Sequence, residues 1–230
     1  MPAPPHIFFR EFARQHVGAA KRLMLGTDDE LRYACLELRL AIEALAYDTL
    51  QSYSEDVDDA VNLAYREWQP SKVLKALCDY DPIADRALRI ELWEVGSDEN
   101  PKRERPMFTG VDDRFTAEWA EKAHRSMSSF LHQRTISQIR RGKYIDRIVM
   151  LREAKRVIGR LEAILASPIH GTRSSLRFGY SCPDCGGHIS VAMLPLLLMG
   201  QAKTSCSSCG AEWEASSGGE DGAPKFTQRA

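Results

Sequence analysis

The chain has no long apolar run. Its most apolar stretch, Ala192–Met199, is interrupted by Pro195. A bilayer-spanning helix needs about 20 consecutive apolar residues, so no transmembrane helix and no membrane partner are expected. A surplus of one charge is also missing. The 31 basic and 32 acidic residues leave a formal net charge of −1, which excludes a uniformly basic nucleic-acid coat and leaves room for a local basic face. Met1-Pro-Ala-Pro-Pro-His6 has no basic segment followed by an apolar one. A secretory leader is therefore not expected, and a reducing, cytoplasmic location is. What is present is an ordinary globular balance: 230 residues, 43% hydrophobic and 27% charged. That length suits one or two domains with a real core.

Charge is distributed unevenly along the chain. Between Asp28 and Glu99 there are 18 acidic and 7 basic residues; between Arg134 and Arg160 there are 9 basic and 2 acidic. Such asymmetry steers a polyanion toward one face, unless the two regions compensate in three dimensions.

Four of the six cysteines form two pairs, Cys182-Pro-Asp-Cys185-Gly and Cys206-Ser-Ser-Cys209-Gly, with twenty residues between Cys185 and Cys206. Two intervening residues allow a tight turn that aims both thiolates at one ion. The glycine after each pair can adopt the left-handed conformation such a turn needs. This is the zinc-ribbon pattern: one structural Zn²⁺ per chain, held by Cys182, Cys185, Cys206 and Cys209, with no open coordination position for catalysis. His188-Ile-Ser-Val and Glu212-Trp-Glu-Ala read as short strands beside it. The isolated Cys35 and Cys78 lie in apolar helical patterns and read as small core residues.

The rest of the chain is mainly helical. An apolar stripe runs through Ile7–Leu25. Thr27-Asp-Asp-Glu30 is a capping-box sequence, and Leu31, Ala34, Cys35, Leu38, Ile42, Leu45 and Ala46 then recur at steps of three and four, which predicts a long amphipathic helix. Arg39 and Glu43, one turn apart beside that stripe, read as a solvated ion pair. Shorter helices are expected over 55–67 and from Pro70 to about Asp79. Leu88–Val95 alternates and pairs in expectation with Met107–Val111, a hairpin inserted in the helical body. Helical periodicity resumes at Thr116, weakens across His132–Arg141, and returns over Lys143–Ala166. The expected domains are a helical body over 1–168 with the hairpin within 86–111, a linker over 169–177, the ribbon over 178–215, and a disordered tail over 216–230.

One further constellation can carry chemistry. Arg125 and His132 are seven residues, or roughly 700° of helix, apart, so they fall nearly on one face. An imidazole that titrates near neutrality transfers protons, and a guanidinium stabilises charge on a phosphate, without any metal. Arg125-Ser-Met-Ser-Ser-Phe-Leu-His132 resembles the RX4–6H motif of the HEPN superfamily, and the helices over roughly Thr27–Pro168 are similar to that family's arrangement. The resemblance implies an HEPN-like helical bundle that forms a homodimer. Its composite site would place Arg125 and His132 of two protomers in one cleft and act as a metal-independent endoribonuclease. Such domains serve in toxin–antitoxin, phage-defence and CRISPR-linked systems, so RNA and a protein regulator are the implied partners, and the basic stretch after His132 would hold flanking phosphates. The alternative is a non-catalytic dimeric adaptor that binds nucleic acid or protein and carries the same structural ribbon.

Overall fold

The computed structural model describes residues 7–54, 59–93, 106–133, 135–142, 144–172, 177–192, 196–197, 200–206, 208–218 and 224–228. Within these residues the chain is mainly α, with small antiparallel sheets. The helices are α1 (Phe9–Leu23), α2 (Asp28–Gln51), α3 (Asp59–Ala64), α4 (Pro70–Tyr80), α5 (Ala117–Leu131), α6 (Ile136–Arg140) and α7 (Arg147–Leu165). β1 (Leu88–Leu92) and β2 (Phe108–Asp112) form an antiparallel hairpin between α4 and α5, in which Leu88 faces Asp112 and Leu92 faces Phe108. The first strand is shorter than the alternating run suggested; Val95 lies outside the described residues.

α2 is the axis of the body and packs against α1, α4, α5 and α7. Its sequence explains why. Leu31, Leu38 and Ile42 are fully buried, and Ala34, Ala41 and Ala46 between them let neighbouring backbones approach closely. Its start is set by the capping box. Thr27 Oγ1 accepts the Glu30 N–H, and Glu30 Oε2 accepts the Thr27 N–H at 2.6 Å. The Thr27 N–H, and then its hydroxyl, hold the Glu30 carboxyl below the usual range. A carboxyl depressed in the folded state adds stability above its unfolded pKa, and that stability is lost as pH falls through the lower folded value. Thr27→Ala keeps that N–H and removes the hydroxyl, so we expect a lower urea midpoint at neutral pH, with a difference that narrows in acid below the ordinary glutamate range. Urea melts at the two pH values would measure this; an equal difference at both would contradict it.

The hairpin is tied down by buried charge. Arg114, at 8% exposure, bonds Asp112 Oδ2 through Nε at 3.1 Å and Nη2 at 2.5 Å, and donates to the Ala84 carbonyl at 2.9 Å and to the Thr172 carbonyl. Arg160 of α7 forks onto both oxygens of Asp113, at 2.7 and 2.9 Å. Tyr53, just after α2, donates its hydroxyl to Asp81 at 2.7 Å. These bonds lock the β2–α5 junction against α7 and the segment after it.

The C-terminal part folds from five strands: β3 (Arg177–Ser181), β4 (His188–Ala192), β5 (Gln201–Ser205), β6 (Glu212–Ser216) and β7 (Lys225–Gln228). β3 pairs with β4, and β5, β6 and β7 form a second antiparallel sheet. A bridge between Ile189 and Cys206 joins the two. The expected disordered tail over 216–230 is thus corrected for its last part. β7 pairs with β6, and Phe226 packs edge-on against Tyr180 and Trp213, with centroids 5.6 and 6.5 Å apart. The Gly- and Ser-rich composition between β6 and β7 hid a strand that pairs back onto β6. Among the described residues no helix is long and apolar enough to cross a membrane.

Candidate functional site

The two Cys pairs converge. The four sulfurs of Cys182, Cys185, Cys206 and Cys209 lie within 4.8 Å of one another. Each pair builds the same turn. Gly186 N–H reaches the Cys182 carbonyl, and Gly210 N–H reaches the Cys206 carbonyl, both at 2.9 Å. Gly186 and Gly210 adopt φ of +71° and +75°, the left-handed region that a side chain rarely tolerates. Across the knuckles, Cys182 and Cys209 sulfurs stand 3.8 Å apart and Cys185 and Cys206 sulfurs 3.5 Å. Four thiolates about 2.3 Å from a tetrahedral ion would be separated by about 3.8 Å, so the donor set and its spacing fit one metal ion.

Backbone amides point at these sulfurs. The N–H groups of Cys209 and Ser208 pull Cys206 down to about 6. Gly187 N–H works to lower Cys185, but the neighbouring thiols outweigh it and push Cys185 up to about 12. Sulfurs this close cannot all carry charge without a cation among them. His188 opens β4 and is not part of the cluster. Beneath the knuckles the core is small: Cys182, Ile189, Val191, Leu196, Ala202, Cys206, Trp213 and Ala215.

The helical body carries a second candidate site, a cleft of about 350 Å³ between the start of α4 and the outer side of α5. Gln69, Ser71, Lys72, Lys75, Glu121, His124, Arg125 and Ser128 line it. Glu121 bonds Arg125 at 2.6 Å and Lys75 at 3.0 Å, and Lys75 first, then Arg125, holds its carboxyl below the usual range. Lys72 is exposed and meets no carboxylate among the described residues. The side chain of Arg125 is 77% exposed. His132 is exposed too, at the C-cap of α5, where the backbone turns extended (φ −82°, ψ 141°). It does not line the cleft. Both residues thus lie on accessible surface of one helix, Arg125 near its middle and His132 at its C-cap, but a single chain does not bring their side chains together.

Behind the cleft lies a group the linear pattern missed. His124 Nε2 is 3.0 Å from Glu43 Oε1 and 3.2 Å from Arg39 Nε. Arg39 and Glu43 are themselves 3.5 Å apart, with side chains 23% and 19% exposed. This corrects their reading as a solvated pair: they are the α2 half of a largely buried cluster that receives His124 from α5. One ring nitrogen can donate to Glu43 or accept from Arg39, never both, so the proton on the ring selects the partner. Trp68, 56% exposed, stands with its ring 6.4 Å from the His124 imidazole. The one-turn spacing marks Arg39 and Glu43 as a pair, but nothing in it joins them to His124. The adjacency of His124 to Arg125 was the available signal.

The basic stretch is partly neutralised. Arg147 bonds Asp28, and Arg160 bonds Asp113, while Arg140, Arg141 and Lys155 are exposed with no carboxylate partner among the described residues. Cys35 is fully buried as expected, and burial pushes its thiol up to about 11. Compared with protein-family models, curated proteins and solved structures, the chain matches none.

Proposed function

We propose that the chain is a metal-independent endoribonuclease of the HEPN kind, acting as a homodimer, with a Zn²⁺-bound ribbon that recognises RNA or a partner protein. The observation that carries this reading is the position of Arg125 and His132, both exposed, Arg125 midway along α5 and His132 at its C-cap two turns on, with Arg125 lining a cleft where Lys72 and Lys75 are also found. One chain presents both groups without joining them, and a twofold axis beside the end of α5 would bring two pairs to one groove. Apolar surface suited to such pairing follows His132 in the chain. α6 buries none of its residues, and Ile136, Ile139, Tyr144 and Ile148 are exposed.

In the groove, the 2′-oxygen attacks the adjacent phosphorus and the P–O5′ bond breaks. His132 takes the 2′-hydroxyl proton, the leaving 5′-oxygen regains one from solvent, and Arg125 balances charge on the non-bridging oxygens. The products are a 2′,3′-cyclic phosphate and a 5′-hydroxyl. Zn²⁺ is the ion that best suits four thiolates at tetrahedral spacing in a closed site. It would fold the ribbon and take no part in the reaction.

The second reading is the non-catalytic adaptor. It is favoured by the 2.6 Å bond that occupies the Arg125 guanidinium. Total RNA incubated with purified protein in moderate EDTA, with zinc measured on the recovered protein, separates the two. The nuclease reading expects cyclic-phosphate ends and a loss of about a hundredfold or more in His132→Ala, a surface change that leaves folding intact. RNA bound but uncut by both proteins would sink it in favour of the adaptor.

A further inference from the structure

The α4–α5 cleft has the composition of a phosphate site and not of an apolar pocket. Lys72, Lys75 and Arg125 meet there opposite one carboxylate, Glu121. The first turn of α4 adds partial positive charge: Gln69 makes no side-chain cap and Pro70 has no N–H, while the Lys72 N–H donates to the Gln69 carbonyl at 2.9 Å, so the Ser71 N–H is the amide of that turn left facing the cleft's ligand. Ser71 and Ser128 supply hydroxyls along the lining. At 350 Å³ the cleft is large enough for a ligand group of nucleotide size. An exposed indole, Trp68, immediately precedes the lining residues in sequence and rests beside His124. Cations that track a backbone, next to an aromatic face, are the two parts of single-strand recognition.

We propose that this cleft is a subsite for single-stranded RNA, in which Lys72 and Lys75 hold the backbone phosphate next to the one Arg125 faces in the reaction and Trp68 stacks the adjoining base. The inference rests on the reading of the chain as RNA-acting and deepens it, because it places the strand across α4 rather than along the basic stretch of α7. It also gives Glu121 a role. By clamping Lys75 and Arg125 it competes with the phosphate, so the free cleft is held below its full affinity.

The test uses the full-length protein and a labelled single strand of 2′-O-methyl RNA, which lacks the attacking hydroxyl and stays intact, with binding read by anisotropy. Lys72→Glu and Trp68→Ala should each weaken binding about tenfold. Lys72→Ala should lower the magnitude of the log–log salt slope by about 0.7, one phosphate's share. Glu121→Gln should tighten binding severalfold, an effect no merely structural role for Glu121 would produce. All three positions are solvent-accessible, and thermal melts check that folding is unchanged. Inorganic polyphosphate serves as a competitor without bases: Trp68→Ala should leave its affinity as in wild type while Lys72→Glu weakens it. Wild-type affinity in Lys72→Glu and Trp68→Ala, or no tightening in Glu121→Gln, overturns the subsite. If the wild type still binds or cuts RNA, the broader functional reading survives that result. No RNA binding by the wild type overturns both.

Discussion

Stripping the metal is expected to unfold the ribbon and leave the helical body folded. The two parts have separate cores, and that of the ribbon holds eight residues, two of them the ligands Cys182 and Cys206. A core of that size does not offset the conformational entropy of ordering the chain around it. Structural zinc contributes about 10–16 kcal/mol of apparent binding free energy in small domains, more than such a ribbon can lose and stay folded. Cys182→Ser should act like the chelator, since it removes a thiolate and leaves three ligands around the ion. On the proposed reading of one Zn²⁺ per chain, metal content should fall, and the amide signals of β3–β7 should collapse in NMR spectra. The far-UV signal of α1–α7 should persist, because the core centred on Leu31, Leu38, Ile42 and Leu77 contains none of the four ligands. A dispersed ribbon spectrum after complete metal removal would end this account.

The largest effect within the helical body is expected at Arg114. Replacing it with Ala would leave Asp112, 1% exposed, as a buried carboxylate whose remaining donor among the described residues is the Thr172 N–H at 2.9 Å. It would also remove the donor to the Ala84 and Thr172 carbonyls. Breaking a buried pair from one side costs about 3–5 kcal/mol, chiefly the penalty of an unpaired charge. Arg114→Lys should recover little, because an ammonium cannot reproduce the forked contact through Nε and Nη2. Replacing both partners with apolar residues of similar volume should recover most of the loss. Urea melts of the three variants measure this series. A cost below about 1 kcal/mol for Arg114→Ala would mean that water or a backbone shift satisfies Asp112.

The parts of the fold readable in advance are those whose physics is local. Thr27 and Glu30 mark the start of α2 because each satisfies the other's backbone within three residues. Pro70 opens α4 for the same kind of reason, since its missing N–H costs nothing in a first turn. The extent of the hairpin was only approximately visible, since strand length depends on the partner as much as on the run itself. α6 was not foreseen: five residues with none buried give no apolar period to read. β7 was missed, because Phe226 owes its place to β6 and to the rings of Trp213 and Tyr180, and not to its Gly-rich neighbours. His124 was missed because its partners, Arg39 and Glu43, lie more than 80 residues away.

By itself, then, the amino-acid order determined a helical body, an inserted hairpin and four thiols paired for one ion, since helix period, caps and CxxC turns act over a few residues. Only the tertiary structure decided that those thiols meet at metal-ligating distance, that Arg125 shares a cleft with Lys72 and Lys75 while His132 stands outside it, and that Arg39, Glu43 and His124 form one cluster. The first depends on the bridge between Ile189 and Cys206 that joins the two ribbon sheets; the others depend on how α2, α4 and α5 cross, and crossing is set by the summed packing of many side chains, a quantity that no short window of sequence contains.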